Sequence, residues 1–304
     1  MTNLAAMPQD WSVLPVSGAL GAEVRGVKLA ELDVAGFARL RALWLEHLVL
    51  FFPDQNLEPD EHVALGRRFG EPEIHPFIPK LDDEHPEIVV LGQEARADVF
   101  HTDVTFSPTP PLTSILHARI MPERGGDTIF TNQYLAYEGL SAPMRDLLEG
   151  LNAVHTAKPF GHPETRSEHP VVRIHPETGR PALFVNRSFT QFIPQLTRPE
   201  SDTLLAHLFS WSEQPQLQCR YRWSPGTIGI WDNRCTQHFA VNDYPAGTPR
   251  RIERVTVLGD EPKGPPARWD HYQPAMYSAS SAVYAFSQPG SAKPIPVDDR
   301  QNSI

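Results

Sequence analysis

Prolines set the first limit on what this chain can become. Thirty-one of them, together with 19 glycines, are scattered along 304 residues. Proline removes a backbone donor and clashes with the preceding helical turn, and glycine adds chain entropy, so long helices are interrupted throughout. What survives between the breaks is short. "SILHARI", "TIFTN", "VVRIH", "ALFVN", "CRYRW", "GTIGIWD" and "RRIERVTVL" each read as a brief strand bounded by turn formers. Such spacing points to a β-sandwich or barrel rather than to alternating parallel β-α units.

Four stretches read as helices flanking those strands. Asp33 is placed to cap "VAGFARLRALWLEH", in which Phe37, Leu40, Trp44 and Leu48 recur on one face before the apolar run "VLFF". "PDEHVALGRRFG" begins with Pro59 and stops at Gly70. Two more follow, one after Ser141 in "SAPMRDLLEGLNAV" and one in "RPESDTLLAHLFSWSE". No repeat of fixed period is present. From residue 263 onward Pro, Ser and Ala dominate, so the expectation is one domain over residues 1–262 and an irregular tail over 263–304.

An apolar fraction of 40% and a charged fraction of 21% are those of a globular protein. The formal net charge of −10 argues against a nucleic-acid partner, which would need clustered Lys and Arg, but not against a small anion held by a few arginines. Cys219 and Cys235 cannot build a disulfide framework. With no signal-like N-terminus and no apolar run approaching the ~18 residues of a membrane span, the expected location is the cytoplasm, with no membrane partner.

"FHTDVTF" carries the first chemical signal. Read as a strand, it sends His101 and Asp103 to one face about 6–7 Å apart, near enough to share an ion. Two histidines and one carboxylate on a triangular face hold Fe(II) with positions open for a co-substrate and O2. Chance alone supplies about 0.7 His-x-Asp pairs in such a composition, so the motif needs company. His85, His162 and His175 each begin "HPE", where the proline marks a turn rather than a ligand pair. His238, in "GTIGIWDNRCTQHFAVNDY", is the candidate third ligand; a hydrogen-bonded histidine at a strand edge is the plainer alternative. In "PRRIERVTVLGD", Arg250 and Arg254 fall on one strand face and Arg251 and Glu253 on the other. Guanidinium forks aimed inward call for anionic ligands, whereas a solvated strand face would need none.

Taken in order, "FHTDVTF", "GGDTIFTN", "WDNRCTQHFAVNDY" and "RRIERVTVLGD" resemble the TauD/TfdA family of Fe(II)- and 2-oxoglutarate-dependent dioxygenases. The resemblance runs from "LGAEVRGVKL" to about Gly259. It implies a mainly β fold with flanking helices, a double-stranded β-helix (a cupin-like jelly roll), and an enzyme using Fe(II), 2-oxoglutarate and O2. It implies that His101, Asp103 and His238 ligate the iron and form the catalytic set. Thr128 and Arg250 match the residues that hold the 2-oxoglutarate carboxylate. Arg250 stands one residue farther from the histidine than in the family's taurine dioxygenase, which makes Arg251 its rival. Arg254 matches the arginine that receives the substrate's sulfonate and lies near the co-substrate. His75 matches a sulfonate-contacting histidine and Phe189 an aromatic pocket wall.

Two positions depart from the taurine pattern. Ile78 stands where that enzyme has a tyrosine, and Ala97 falls near its asparagine. The loss of polar partners favours a more apolar anion than taurine: an alkyl sulfate, a sulfonate or an aryloxy or alkyl carboxylate. A homo-oligomer, dimer or tetramer, is the family habit. Two rivals remain on the sequence alone, a non-catalytic jelly-roll metal- or ligand-binding protein and a zinc hydrolase using the same three ligands.

Overall fold

In the computed structural model, residues 11–75, 77–92 and 97–274 are described. The chain divides after His271, and the fold below belongs to the unit ending there; of the remainder only residues 272–274 are described, without helix or strand. The tail beyond residue 274 lies outside the described residues.

Two sheets face each other across the site. The larger has seven strands: β1 (Ser12–Pro15), β2 (Ala22–Arg25), β3 (Val49–Phe52), β4 (Ile88–Leu91), β5 (Thr113–Ile120), β13 (Ile228–Asp232) and β15 (Arg251–Val257). Their spatial order is β1-β2-β3-β13-β5-β15-β4, and every pairing is antiparallel except β2 with β3. The smaller sheet is β12-β6-β14, from β6 (Thr128–Asn132), β12 (Gln218–Tyr221) and β14 (Thr236–Ala240). A third sheet runs β11-β7-β8, from β7 (Asn152–Ala157), β8 (His162–Pro170) and β11 (Thr190–Phe192), and β9 (Val172–Ile174) pairs with β10 (Pro181–Leu183). This is the mainly β, cupin-like jelly roll with helices outside it.

Period-two alternation sorts the large sheet into two cores. Leu50, Phe52, Ile115, Ile228 and Ile230 face outward into a cluster completed by Leu40 and Trp44 of α1 (Val34–His47) and Leu65 and Phe69 of α2 (Pro59–Phe69). Phe51, Leu116, Trp231 and Ile252 face inward, against Phe130 and Trp223. Each large side chain buried this way contributes roughly 2–3 kcal/mol. Helix α1 starts where Asp33 accepts from the Gly36 amide, and α2 starts with a capping box between Glu58 and Glu61 and Pro59 in its first turn. A separate cluster gathers α3 (Gln133–Glu138), α4 (Ala142–Leu148) and α5 (Arg198–Ser212) over β7, β9 and β10.

Two local expectations change. "FHTDVTF" is not a strand: His101 makes one isolated bridge to His238, and residues 103–106 form a turn. The "HPE" at His162 opens the nine-residue β8 rather than a turn, and Pro163 is tolerated because β8 lies at its sheet's edge.

Candidate active site

The metal-ligand candidates meet through non-local structure. β13 ends in the large sheet at Asp232, residues 233–235 cross over, and β14 carries His238 into the small sheet. There the backbones of His101 and His238 exchange hydrogen bonds at 3.0 and 2.8 Å, which sets their rings 4.1 Å apart between centroids. The following turn brings Asp103 back beneath them, with Val104 in left-handed backbone (φ 51°), a conformation that costs a β-branched residue about 1–3 kcal/mol. Thr102 donates to the Thr236 carbonyl at 2.8 Å and ties the turn to β14.

His101 Nε2 and His238 Nε2 lie 3.8 and 3.9 Å from the same oxygen, Asp103 Oδ1. The His101 Nδ1–H donates to the Val99 carbonyl at 2.8 Å, which leaves the Nε2 lone pair turned toward Asp103. Burial, and the neighbouring imidazole, lower His238 to about 3; burial also lowers His101, so both rings are neutral at pH 7. Burial alone would raise Asp103, but Arg254, the two imidazoles and the Ser114 hydroxyl outweigh it and hold the carboxyl far below its usual range. Two neutral imidazoles and one carboxylate, all buried, fit a divalent iron. Ser114 Oγ donates to Asp103 Oδ2 at 2.7 Å and Arg254 Nη1 to Oδ1 at 3.0 Å.

This trio lies in the wall of a cavity of about 610 Å³, also lined by His75, Ile78, Ala97, Thr128, Phe189, Arg250 and Arg254. Every residue that the resemblance matched to metal, co-substrate or substrate therefore reaches one space, and the rival Arg251 does not. Thr128 follows the Gly125–Gly126 turn, both glycines having positive φ. Its Oγ1 accepts from Trp223 Nε1 at 2.8 Å, so its own proton is free to be donated into the cavity. Arg250 is partly buried, with its Nε lacking a partner among the described residues, and burial lowers its pKa. Arg251, its rival, points the other way and pairs with Glu253 at 2.7 Å. The side chain of His75 accepts from the amides of Phe77 and Ile78 at Nδ1, which leaves Nε2–H as a donor; burial and then Arg254 lower its pKa to about 4.

Several lining residues escaped the sequence reading. Phe77 and Phe160 complete an aromatic wall with Phe189, against which Phe106 packs, and Phe77 and Phe160, each 37% exposed, stand at its rim. Neither Phe77 nor Phe160 was singled out from the sequence. Ser114 and Trp223 had no signal, because their roles depend on partners distant in sequence. The three "HPE" histidines stay out of the site: His85 pairs with Asp82 and Asp60, His162 with Glu164 and His175 with Asp232.

Comparison with known proteins agrees with this geometry. Residues 12–256 match the family described as taurine catabolism dioxygenase TauD, TfdA family. An alpha-ketoglutarate-dependent sulfate ester dioxygenase of Pseudomonas putida is 37% identical, the match covering 86% of this chain and 94% of that one. An alkylsulfatase of Acinetobacter baylyi is 35% identical, over 87% of this chain and 90% of the relative. The crystal structure of a taurine dioxygenase from Burkholderia xenovorans superposes with a TM-score of 0.78 at 39% identity, covering 85% of this chain and 94% of that one. The chain belongs to the TauD/TfdA family, and it is an Fe(II)- and 2-oxoglutarate-dependent dioxygenase that consumes O2 and acts on a small organic molecule.

Proposed function

We propose that this enzyme hydroxylates the carbon next to the head group of an alkyl sulfate or related sulfonate or carboxylate with an apolar body. The observation that carries the reading is the cavity's division into a charged end, with Arg250, Arg254 and His75, and an aromatic end, with Phe77, Phe160 and Phe189. His101, Asp103 and His238 hold Fe(II), which with 2-oxoglutarate and O2 supplies the oxidising power and leaves succinate and CO2. Arg250 and the Thr128 hydroxyl hold the distal carboxylate of 2-oxoglutarate. Arg254 and His75 Nε2–H receive the substrate's anionic head, and Ile78 and Phe189 wall its apolar part. The Phe77–Phe160 rim sheds water from the reacting end. A hydroxyl placed on the carbon bearing a sulfate ester collapses to a carbonyl compound, with the C–O bond broken and sulfate released.

The sulfate ester and alkylsulfatase names of the relatives support this choice, as does Ile78 in the lining. The test is succinate release across taurine, alkyl sulfates, alkyl sulfonates and aryloxyalkanoates. Alkyl sulfates of medium chain length should exceed taurine by at least tenfold in kcat/KM; a preference for taurine would refute the assignment of Ile78. His101→Ala, Asp103→Ala or His238→Ala should each bring substrate-dependent succinate formation to background. The buried free thiols of Cys219 and Cys235 support a reducing, cytoplasmic setting. Family habit supports a homo-oligomer, which light scattering of the purified protein tests.

A further inference from the structure

The large sheet carries a second polar cluster on the side away from the cavity. His62 comes from α2, His117 from β5 and Glu253 from β15, with exposures of 0, 1 and 3%. His117 and Glu253 are paired directly across the two strands, one step out of phase with Leu116 and Arg254, which line the cavity. One ring nitrogen of each histidine and one carboxylate oxygen of Glu253 lie within 4.8 Å of one another.

None of these groups takes part in the chemistry above, and the hydrogen bonding of the two histidines is incomplete. His62 donates Nε2–H to the Ile115 carbonyl at 3.0 Å, which leaves Nδ1 as a bare acceptor. His117 bonds to the Gln55 backbone. Nδ1 of each ring has no partner among the described residues. A neutral imidazole with its single N–H fixed on a backbone carbonyl is the form in which histidine takes a metal. Burial keeps both rings in that form, lowering His62 to about 4 and His117, which also faces Arg119, to about 3.

Glu253 is already engaged, by Arg119 at Oε2 and Arg251 at Oε1, each at 2.7 Å. Each carboxylate oxygen keeps a second lone pair, so one can still face the histidines. The two guanidiniums oppose a dication and make the site weaker than one built on a free carboxylate. A useful contrast is the third cluster, His175, Asp232 and Cys235. There Arg234 binds Asp232 through both oxygens, His175 adds a third bond, and His175 Nδ1 accepts from two backbone amides, so that group is saturated.

We propose that His62, His117 and Glu253 form a second metal site, for a borderline divalent ion of the Zn2+ type, separate from the catalytic cavity. Two imidazole nitrogens and one carboxylate oxygen select such an ion over Mg2+ or Ca2+, and a water completes four-coordination. The ion would fasten α2 to β5 and β15 directly behind Arg254. It would thereby also anchor the root of the segment after α2 that carries His75 and Ile78.

The experiment uses the full chain with the cavity trio removed, H101A/D103A/H238A, stripped with chelator and titrated with Zn2+ alone. One equivalent should bind and raise Tm, and the wild type should take up two. Adding H117N or H62Q should abolish the remaining uptake. If the trio variant takes up no Zn2+, or if H62Q and H117N both retain it, the site does not exist. Should those substitutions prevent folding, X-ray absorption of the Zn2+-loaded trio variant decides. Two imidazole ligands are expected, and a spectrum without imidazole scattering overturns the proposal.

Discussion

A single oxygen atom, Asp103 Oδ1, organises the active site. Both Nε2 atoms face it, and Arg254, which lines the cavity, donates to it, while Ser114 holds the other oxygen. Ser114 is itself held by Asn233 Nδ2 at 3.1 Å. Ser114→Ala removes the bond that fixes the carboxylate's orientation and leaves a buried Oδ2 unpaired. We expect Fe(II) affinity to fall roughly 10–100-fold, read by titrating the metal into chelator-treated protein. The neighbouring arginines separate cleanly by face. Arg250→Ala should raise KM for 2-oxoglutarate at least tenfold, and Arg251→Ala, which breaks only the outer pair with Glu253, should leave that KM within about twofold; steady-state succinate kinetics would reveal a reversal. At this scale His101, Asp103, His238, Arg250 and Arg254, which meet in one cavity, were legible only through four motifs taken together, since a His-x-Asp pair alone is expected nearly once by chance. Ser114 was not, since nothing marks one serine in "TSILHARI" as the partner of an aspartate in a preceding turn.

Among the elements, β13 does more than join sheets. Gly229 points inward, and the indole of Trp223 lies against its bare Cα, so that an added methyl would collide with the ring. The same indole donates to Thr128 Oγ1. Gly229→Ala should therefore push Trp223 off Thr128, cost about 1–3 kcal/mol of stability through overpacking, and raise KM for 2-oxoglutarate more than KM for substrate. Denaturant unfolding together with paired KM measurements checks both parts, and an unchanged KM for 2-oxoglutarate would mean the indole does not orient the hydroxyl. The elements that could be read from the sequence were those with local causes: α1 with its Asp33 cap, α2 between Pro59 and Gly70, and the apolar strands β3, β5, β13 and β15. The short helix α3 was missed because a polar Asn132 cap and six residues leave little periodicity. "FHTDVTF" misled for a different reason. Its β-branched residues favour a strand, yet the bridge to β14 and the left-handed Val104 turn it, and neither is a property of the local sequence.

The molecule as a whole is rich in buried histidine. His62, His75, His101, His117, His155, His169 and His238 all have lowered pKa values, with burial the leading cause in each. A histidine neutral in the fold but protonated when unfolded makes stability fall as pH drops below about 6.5, by up to ~1.4 kcal/mol per pH unit for each such group. The metal-free protein should thus lose several kcal/mol between pH 6.5 and pH 4.5 and be little affected between pH 7 and 8. Melting curves across that range test it, and a flat Tm down to pH 4.5 would contradict the burial of these rings. The fold class was legible from punctuation and short strands, but the strand order β1-β2-β3-β13-β5-β15-β4 was not, because pairings between residues as distant as 50 and 230 leave no trace in any local window.

Arg254's grip on Asp103 Oδ1 gives the site a thermodynamic memory. On the proposed reading, the guanidinium would repel an incoming dication while it leans on the ligand oxygen, and an anionic head group that drew it away would remove that repulsion. Metal and substrate then favour one another by a common factor, since linkage requires each to change the other's affinity equally. Iron held loosely in the resting protein would then be held firmly once the substrate had arrived.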